Sequence, residues 1–282
     1  GMKRVLVCID GSQYGISCCR YAAWISRKID VEIEVVYVTD LRQLEVPFVA
    51  DLGGSLGIQP FQAVMGQLQE LEGKKAEVTL GQAAKLIESE GSPVSLIKTH
   101  KTGFLVDSLR ELEESADMIL LGKRGENAKF ATEHLGSTME RVARAATKPC
   151  FVASREFRPI ESVLISYDDA PSSRKAVEFV KRSPMFSDAR IHLVTVSPNE
   201  REQKHLKALK EAESSLREAG HPLTCQMLHG DTAPSVIDYV KENEIDMLVM
   251  GAYGHTRIRR LIIGSSTTEM LRGCQLPTLL FR

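Results

Sequence analysis

A chain of 282 residues with 43% hydrophobic and 26% charged side chains is long enough for about two domains that each bury a core. Its net charge of −1 supplies no global basic field, which argues against nucleic acid or an anionic membrane as the main partner. No run of about 18 apolar residues and no secretory leader occur, and the six cysteines form neither a CxxC pair nor a zinc-type spacing with histidine, so the expectation is a cytoplasmic protein with buried thiols.

Gly1 before Met2 reads as a remnant of tag removal and is set aside. The first strand is Val5–Ile9, ending at Asp10. After a second strand that closes near Val38, about 29 residues enter that have no counterpart later in the chain. This insertion, about 43–75, contains the glycine-rich stretch Leu52–Gly57 and leads into a helical pattern from about Phe61 to Glu90. It reads as a surface elaboration, with a lid or partner-binding element as the sharper alternative. The apolar run Met118–Leu121, led by Asp117, is followed by Gly122 and Gly125, then ten residues, then Gly136, Ser137 and Thr138. Pro149 precedes a last short strand, and the charged stretch Ser154–Pro159 marks the break between domains 1–155 and 156–282.

The second half repeats this plan. Strands are expected at Ser162–Tyr167, Ile191–Val196, Leu223–Leu228, Met247–Met250 and Thr278–Phe281. Between them, Pro171 starts a helix, and Leu206, Leu209, Ala212, Leu216 and Ala219 form an apolar stripe that stops at Gly220. Thr232–Pro234 opens a third helix. Pro93 to Pro222, His100 to His229, Asp117 to Asp246 and Gly122 to Gly251 are each 129 residues apart, a register that chance rarely sustains. Strict βα alternation with short apolar strands implies α/β architecture, two repeated doubly wound domains whose parallel sheets carry helices on both faces. Ligands of such sheets bind beyond the carboxyl ends of the strands, where strand order reverses.

The chemistry-bearing motif lies there. Gly251 and Gly254, then nine residues, then Gly264, Ser265 and Ser266, follow the run Met247–Met250. Two glycines allow a sharp turn and close approach, and a helix opened by Gly264 and Ser265 offers free N–H groups and a positive dipole end to a phosphate. Each residue also has a plainer reading: Asp168 and Ser265 as helix caps, Gly251 and Gly254 as turn formers, His255 as a loop residue without a catalytic partner. Arg257, Arg259 and Arg260 give the second loop a local charge of +3. The first loop sets Lys123, Arg124 and Lys129 against Glu126 and Glu133, and its spacing is one residue longer. Converging backbone donors tolerate such a shift poorly, so the second domain is expected to hold the nucleotide and the first to bind weakly, bind another ligand, or act as the pairing partner.

The strand-end Asp10 and Asp168, the Gly251–Ser265 pattern, its partial copy from Gly122 to Ser137 and the closing proline-plus-strand segments resemble the universal stress protein family in its tandem form, over essentially the whole chain. The resemblance implies an adenine nucleotide alpha hydrolase-like fold with a five-stranded parallel sheet per domain, pairing of the two domains through their last strands, and an ATP-binding regulatory role in stress. A homodimer and unknown protein partners belong to the same expectation, as does ATP with or without Mg²⁺. On this reading Asp168 accepts from ribose or adenine, the Val196 backbone meets the base, Gly251 and Gly254 hug ribose and phosphates, and Gly264, Ser265 and Ser266 receive the phosphate tail, with His255 beside them. The corresponding positions of the first copy are Asp10, Val38, Gly122, Gly125, Gly136, Ser137 and Thr138. No metal or catalytic residue is expected, and no P-loop, GxGxxG, HExxH or GxSxG motif occurs. Slow ATP hydrolysis or adenylate transfer, and a scaffold that binds no nucleotide, are the alternatives.

Overall fold

In the computed structural model, the structure describes residues 1–41, 58–124, 136–197, 202–252 and 265–282. The first half runs β1 (Arg4–Ile9), α1 (Gln13–Lys28), β2 (Glu32–Asp40), α2 (Ile58–Glu90), β3 (Ser95–Gly103), α3 (Leu105–Glu113), β4 (Met118–Gly122), α4 (Ser137–Ala145) and β5 (Cys150–Ala153). The second runs β6 (Ser162–Ser166), α5 (Pro171–Arg182), β7 (Arg190–Ser197), α6 (Glu202–Glu218), β8 (Leu223–His229), α7 (Thr232–Glu242), β9 (Met247–Gly251), α8 (Ser265–Gly273) and β10 (Thr278–Phe281), with a 3-10 turn at Pro184–Phe186.

All ten strands form one sheet in the order β3-β2-β1-β4-β5-β10-β9-β6-β7-β8. Every neighbouring pair is parallel except β5 with β10, which is antiparallel with Thr278 opposite Val152, Leu279 opposite Phe151 and Leu280 opposite Cys150. Apolar runs suit strands that are covered on both faces. Alternation sends Val5, Val7 and Ile9 to a core shared with α1, α2, α5 and α6. Leu6 goes to a core shared with α3, α4, α7 and α8. Each core continues through both halves of the chain, so the sheet has one pair of faces rather than two separate interiors.

Local chemistry sets the element ends. Ser12 caps α1 by accepting from Gly15 N–H, while Arg27 and Lys28 oppose the dipole at the other end. Pro171 fills the first position of α5, where its missing N–H costs nothing. Asp117 and Asp246 hold equivalent places: each carboxylate accepts two backbone N–H groups at the start of the first strand of its half, Lys3 and Arg4 at 2.8 and 3.0 Å, Glu161 and Ser162 both at 3.0 Å. The repeated aspartates are therefore strand clamps.

Two expectations need correction. Leu209, Ala212 and Leu216 are buried, but Leu206 is 38% exposed and Ala208 takes its place. At about 100° per residue, Leu206 lies roughly 100° from the centre of the buried face. Ala219 is exposed because α6 has already ended at Glu218. The helical pattern after the insertion becomes α2, 33 residues against 17 in α6. From Gln62 on, its buried residues begin at Ala76, while Glu72 one turn earlier accepts from the Tyr37 hydroxyl of β2 at 3.0 Å. Leu52–Gly57 lies outside the described residues.

Phe151 sits at the join of the two halves, fully buried opposite Leu279 and with its ring 5.2 Å from that of Tyr21. Phe151→Ala is expected to lower the unfolding free energy by about 3–5 kcal/mol. Phe151→Leu should cost less than about 1.5 kcal/mol, and urea denaturation would measure both.

Candidate functional site at the carboxyl end of the second-domain strands

β6 lies between β9 and β7, and the helices that follow β6 and β9 leave to opposite faces: α5 packs on one core and α8 on the other. Their divergence opens a crevice beyond the carboxyl ends of β6 and β9. Asp168 stands at its rim and is exposed. The turn is sharp because Asp169 adopts φ 61°, the position that Gly11 fills at φ 85° in the first half. Asp169 is held there by Tyr167 Oη donating at 3.1 Å and by Arg174, whose guanidinium donates to its carbonyl at 2.8 Å and its carboxylate at 3.2 Å.

The Asp168 carboxylate is partly engaged: Oδ1 accepts from Ala170 N–H at 3.0 Å and from the Ser173 hydroxyl at 2.5 Å. It is thus the helix-turn acceptor of its plainer reading, yet a carboxylate has a second oxygen with two lone pairs for a ligand hydroxyl. Val196 lies past the last β6 pairing, Ser166 with Val194. Because Tyr167 N–H donates to Val194 O, the two-residue alternation aims the Val196 N–H and C=O past the end of β6 into the crevice.

Gly251 ends β9, and a Cβ there would meet Ser172 Oγ at 2.1 Å and Ser172 Cβ at 2.9 Å. The sequence reading gave this missing Cβ to a ligand. The structure gives it to the first turn of α5, which presses directly on the strand end. Thr267, buried in the first turn of α8, donates to the Gly251 carbonyl at 3.4 Å and so sets the helix N-terminus beside the strand end. Ser265 opens that helix and Ser266 is exposed on it. Gly254, His255, Gly264 and the arginines 257, 259 and 260 lie outside the described residues.

The first half has the same frame with different contents. Asp10 Oδ1 accepts from Ser12 N–H at 2.9 Å, Val38 lies near the end of β2, and Gly136 and Ser137 open α4 with Thr138 exposed beside them. Gly125 is outside the described residues. A Cβ at Gly122 would meet Tyr14 Cβ at 2.4 Å, so a tyrosine takes the place of Ser172. Arg141 of α4 reaches the nearly buried Asp40 of β2 at 3.7 Å, drawing helix and strand together across the ends of β1 and β4. The fifth residue of α8, matching Arg141 in α4, is Glu269, of opposite charge.

Lys123 also departs from expectation. Its ammonium had been counted toward the charge of the first loop, but the side chain is 5% exposed and donates to the Cys274 carbonyl in the second half. Burial lowers its pKa to about 8, offset in part by Cys274 and reinforced by Arg124. The contributors that sequence reasoning missed are Ser172, Ser173, Thr267, Tyr14 and the Asp40–Arg141 pair. A serine pair after Pro171 and the Ser265–Thr268 run were visible signals; their contacts were not.

The arrangement defines a tandem doubly wound α/β protein with a crevice at the carboxyl edge of each half. The model of the universal stress protein family matches residues 1–154 and again 159–282. A universal stress protein of Synechocystis sp. is 39% identical over 288 residues, covering all of both chains. The crystal structure of a universal stress protein from Archaeoglobus fulgidus superimposes with TM-score 0.73 at 21% identity, covering 98% of this chain and 97% of that one. A functionally unknown protein from Pseudomonas aeruginosa superimposes with TM-score 0.60 at 14% identity over 99% of this chain and 92% of its own. The chain belongs to the universal stress protein family.

Gly251→Ala is expected to destabilise the protein by about 1–3 kcal/mol through overpacking, and Ser172→Gly in the same chain should recover part of that loss. A double-mutant cycle in denaturant measures the coupling. A second test concerns Lys123. A lysine whose folded pKa lies below its unfolded value carries a deficit at low pH, removed as pH rises from about 8 through 10.5. Relative to Lys123→Met, wild type should therefore gain stability across that window, by on the order of 3 kcal/mol; parallel denaturation curves at several pH values would show it.

Proposed function

We propose that the protein is an adenine-nucleotide-binding regulator of stress responses, with ATP held in the second-domain crevice. The observation that carries this reading is the convergence, where α5 and α8 diverge, of the exposed Asp168 carboxylate, the outward Val196 backbone and the N-terminus of α8. The carboxylate suits ribose hydroxyls, the peptide group suits the hydrogen-bonding edge of adenine, and the N–H groups of the first helical turn, which have no partner within the helix, suit phosphate. Three arginines in the sequence before α8, Arg257, Arg259 and Arg260, add charge matched to a polyphosphate. Mg²⁺, where it accompanies ATP, is held chiefly by phosphate oxygens and water.

The site is read as one that binds rather than turns over its ligand. Asp168, its exposed acid, is fixed as a turn acceptor by the Ala170 N–H and the Ser173 hydroxyl, a role that caps the entry to α5. The first domain is read as the pairing partner, because Tyr14 packs on Gly122, Arg141 pairs with Asp40 across the ends of β1 and β4, and the Lys123 ammonium is turned to the second half. A cytoplasmic setting, in which ATP is abundant and thiols stay reduced, fits this role. Among the described residues no helix is long and apolar enough to cross a membrane.

Calorimetric titration with MgATP tests the proposal. About one ATP per chain with Kd near 1 μM, about −8 kcal/mol, is expected for wild type, and loss of binding for Gly254→Val. Absence of binding by wild type would overturn the reading, and two equal sites would overturn the division between domains.

A further inference from the structure

α4 and α8 each begin at a candidate phosphate position and end against the other half of the chain. The cause is the antiparallel join: β10 starts beside the carboxyl end of β5, and β5 starts beside the carboxyl end of β10. α8, which runs back from β9 to β10, therefore delivers its last carbonyls to the carboxyl edge of the first half. α4 does the reverse. At both ends a cation from the opposite half is waiting. Lys123, directly after β4, donates its ammonium to the carbonyl of Cys274, the residue whose N–H closes α8 on Met270. Arg282, directly after β10, donates Nη1 to the carbonyl of Ala146, which closes α4 on Val142, at 3.0 Å, and to Arg144 O at 3.5 Å.

Lys123 is in addition a node of the first-half turn. Its N–H donates to Ala153 O at 3.0 Å, and its carbonyl accepts from Gly136 N–H, the entry to α4, at 2.9 Å. The matching residue of the second half, Ala252, keeps the equivalent bond to Phe281 O at 2.8 Å but has no side chain to extend.

We propose that Lys123 and Arg282 are crossed positioning residues: each fixes the far end of the helix whose N-terminus forms the other half's candidate site, so the two sites are coupled through α4 and α8. The coupling to a nucleotide rests on the function proposed above; the crossed capping does not. A helix of nine residues is about 13 Å long, short and stiff enough for a cation that fixes one end to govern the placement of the amides at the other. Displacement of the Gly122–Arg124 turn by a ligand or partner would move Lys123, and with it α8. Reciprocity requires that ligand at the second site bias the first-half turn equally.

The test is amide hydrogen exchange on the full chain, with ATP titration alongside. Lys123→Met should speed exchange selectively in 265–273 and weaken ATP binding about fivefold or more, while Arg282→Met should speed exchange selectively in 137–145. Lys123→Arg should restore both properties of α8. Exchange that rises in the mutated residue's own half, or equally in both helices, would overturn the proposal, as would unchanged ATP affinity in Lys123→Met beside a wild type that binds. If wild type binds no ATP, the nucleotide reading fails and the exchange pattern alone decides the crossed capping. If Lys123→Met does not fold, Arg282→Met carries the same decision on α4.

Discussion

The antiparallel pairing of β5 with β10 is the constraint on which the rest of the molecule depends. Each half, taken alone, is a parallel sheet whose last strand would be an open edge lined with unpaired backbone groups. Joining the two edges satisfies those groups and makes both cores continuous, as Phe151 and Leu279 show by lying opposite one another on a shared face. The antiparallel sense of this one junction also sets the geometry of everything functional. It turns the carboxyl ends of the two sets of strands to opposite edges of the sheet, separates the two crevices, and brings the C-terminus of α8 to the turn after β4.

Within that frame the halves differ through a few side chains at matched positions. Ser172 and Tyr14 both press on a strand-ending glycine, a hydroxymethyl in one half and a tyrosine in the other. Arg141 pulls α4 toward Asp40, whereas the same place on α8 is Glu269. Lys123 is withdrawn into the interface, whereas Ala252 leaves its turn unencumbered. The repeat therefore preserves the fold through its clamps, Asp117 and Asp246, and its turns, Asp10 and Asp168, while the side chains beside the carboxyl ends of the strands differ.

Much of this was legible beforehand. Apolar runs with the spacing of buried parallel strands located the five strands of the second half to within a residue at each end, and the constant offset exposed the repeat. The family resemblance rested on the same residues. Periodicity served less well at element ends: Leu206 belonged to the pattern of α6 but not to its buried face, because a stripe read by spacing alone tolerates a rotation that packing does not. The site was legible as a pattern and not as contacts. Gly251 was recognisable as a position that excludes a side chain, yet a sequence does not say whether ligand or protein fills the space. Lys123 looked like part of a basic loop because charge counts carry no direction. Both contacts join elements far apart in the chain, which local patterns do not encode.

Photolabelling with 8-azido-ATP, followed by mapping of the modified peptides, addresses the location of the nucleotide most directly, since the reactive group sits on the base. The account predicts a label that excess ATP suppresses and that maps to the second half, in peptides containing Asp168, Val196 or Gly251. Suppressible label in peptides containing Asp10, Val38 or Gly122 would contradict it, and so would label that ATP does not displace.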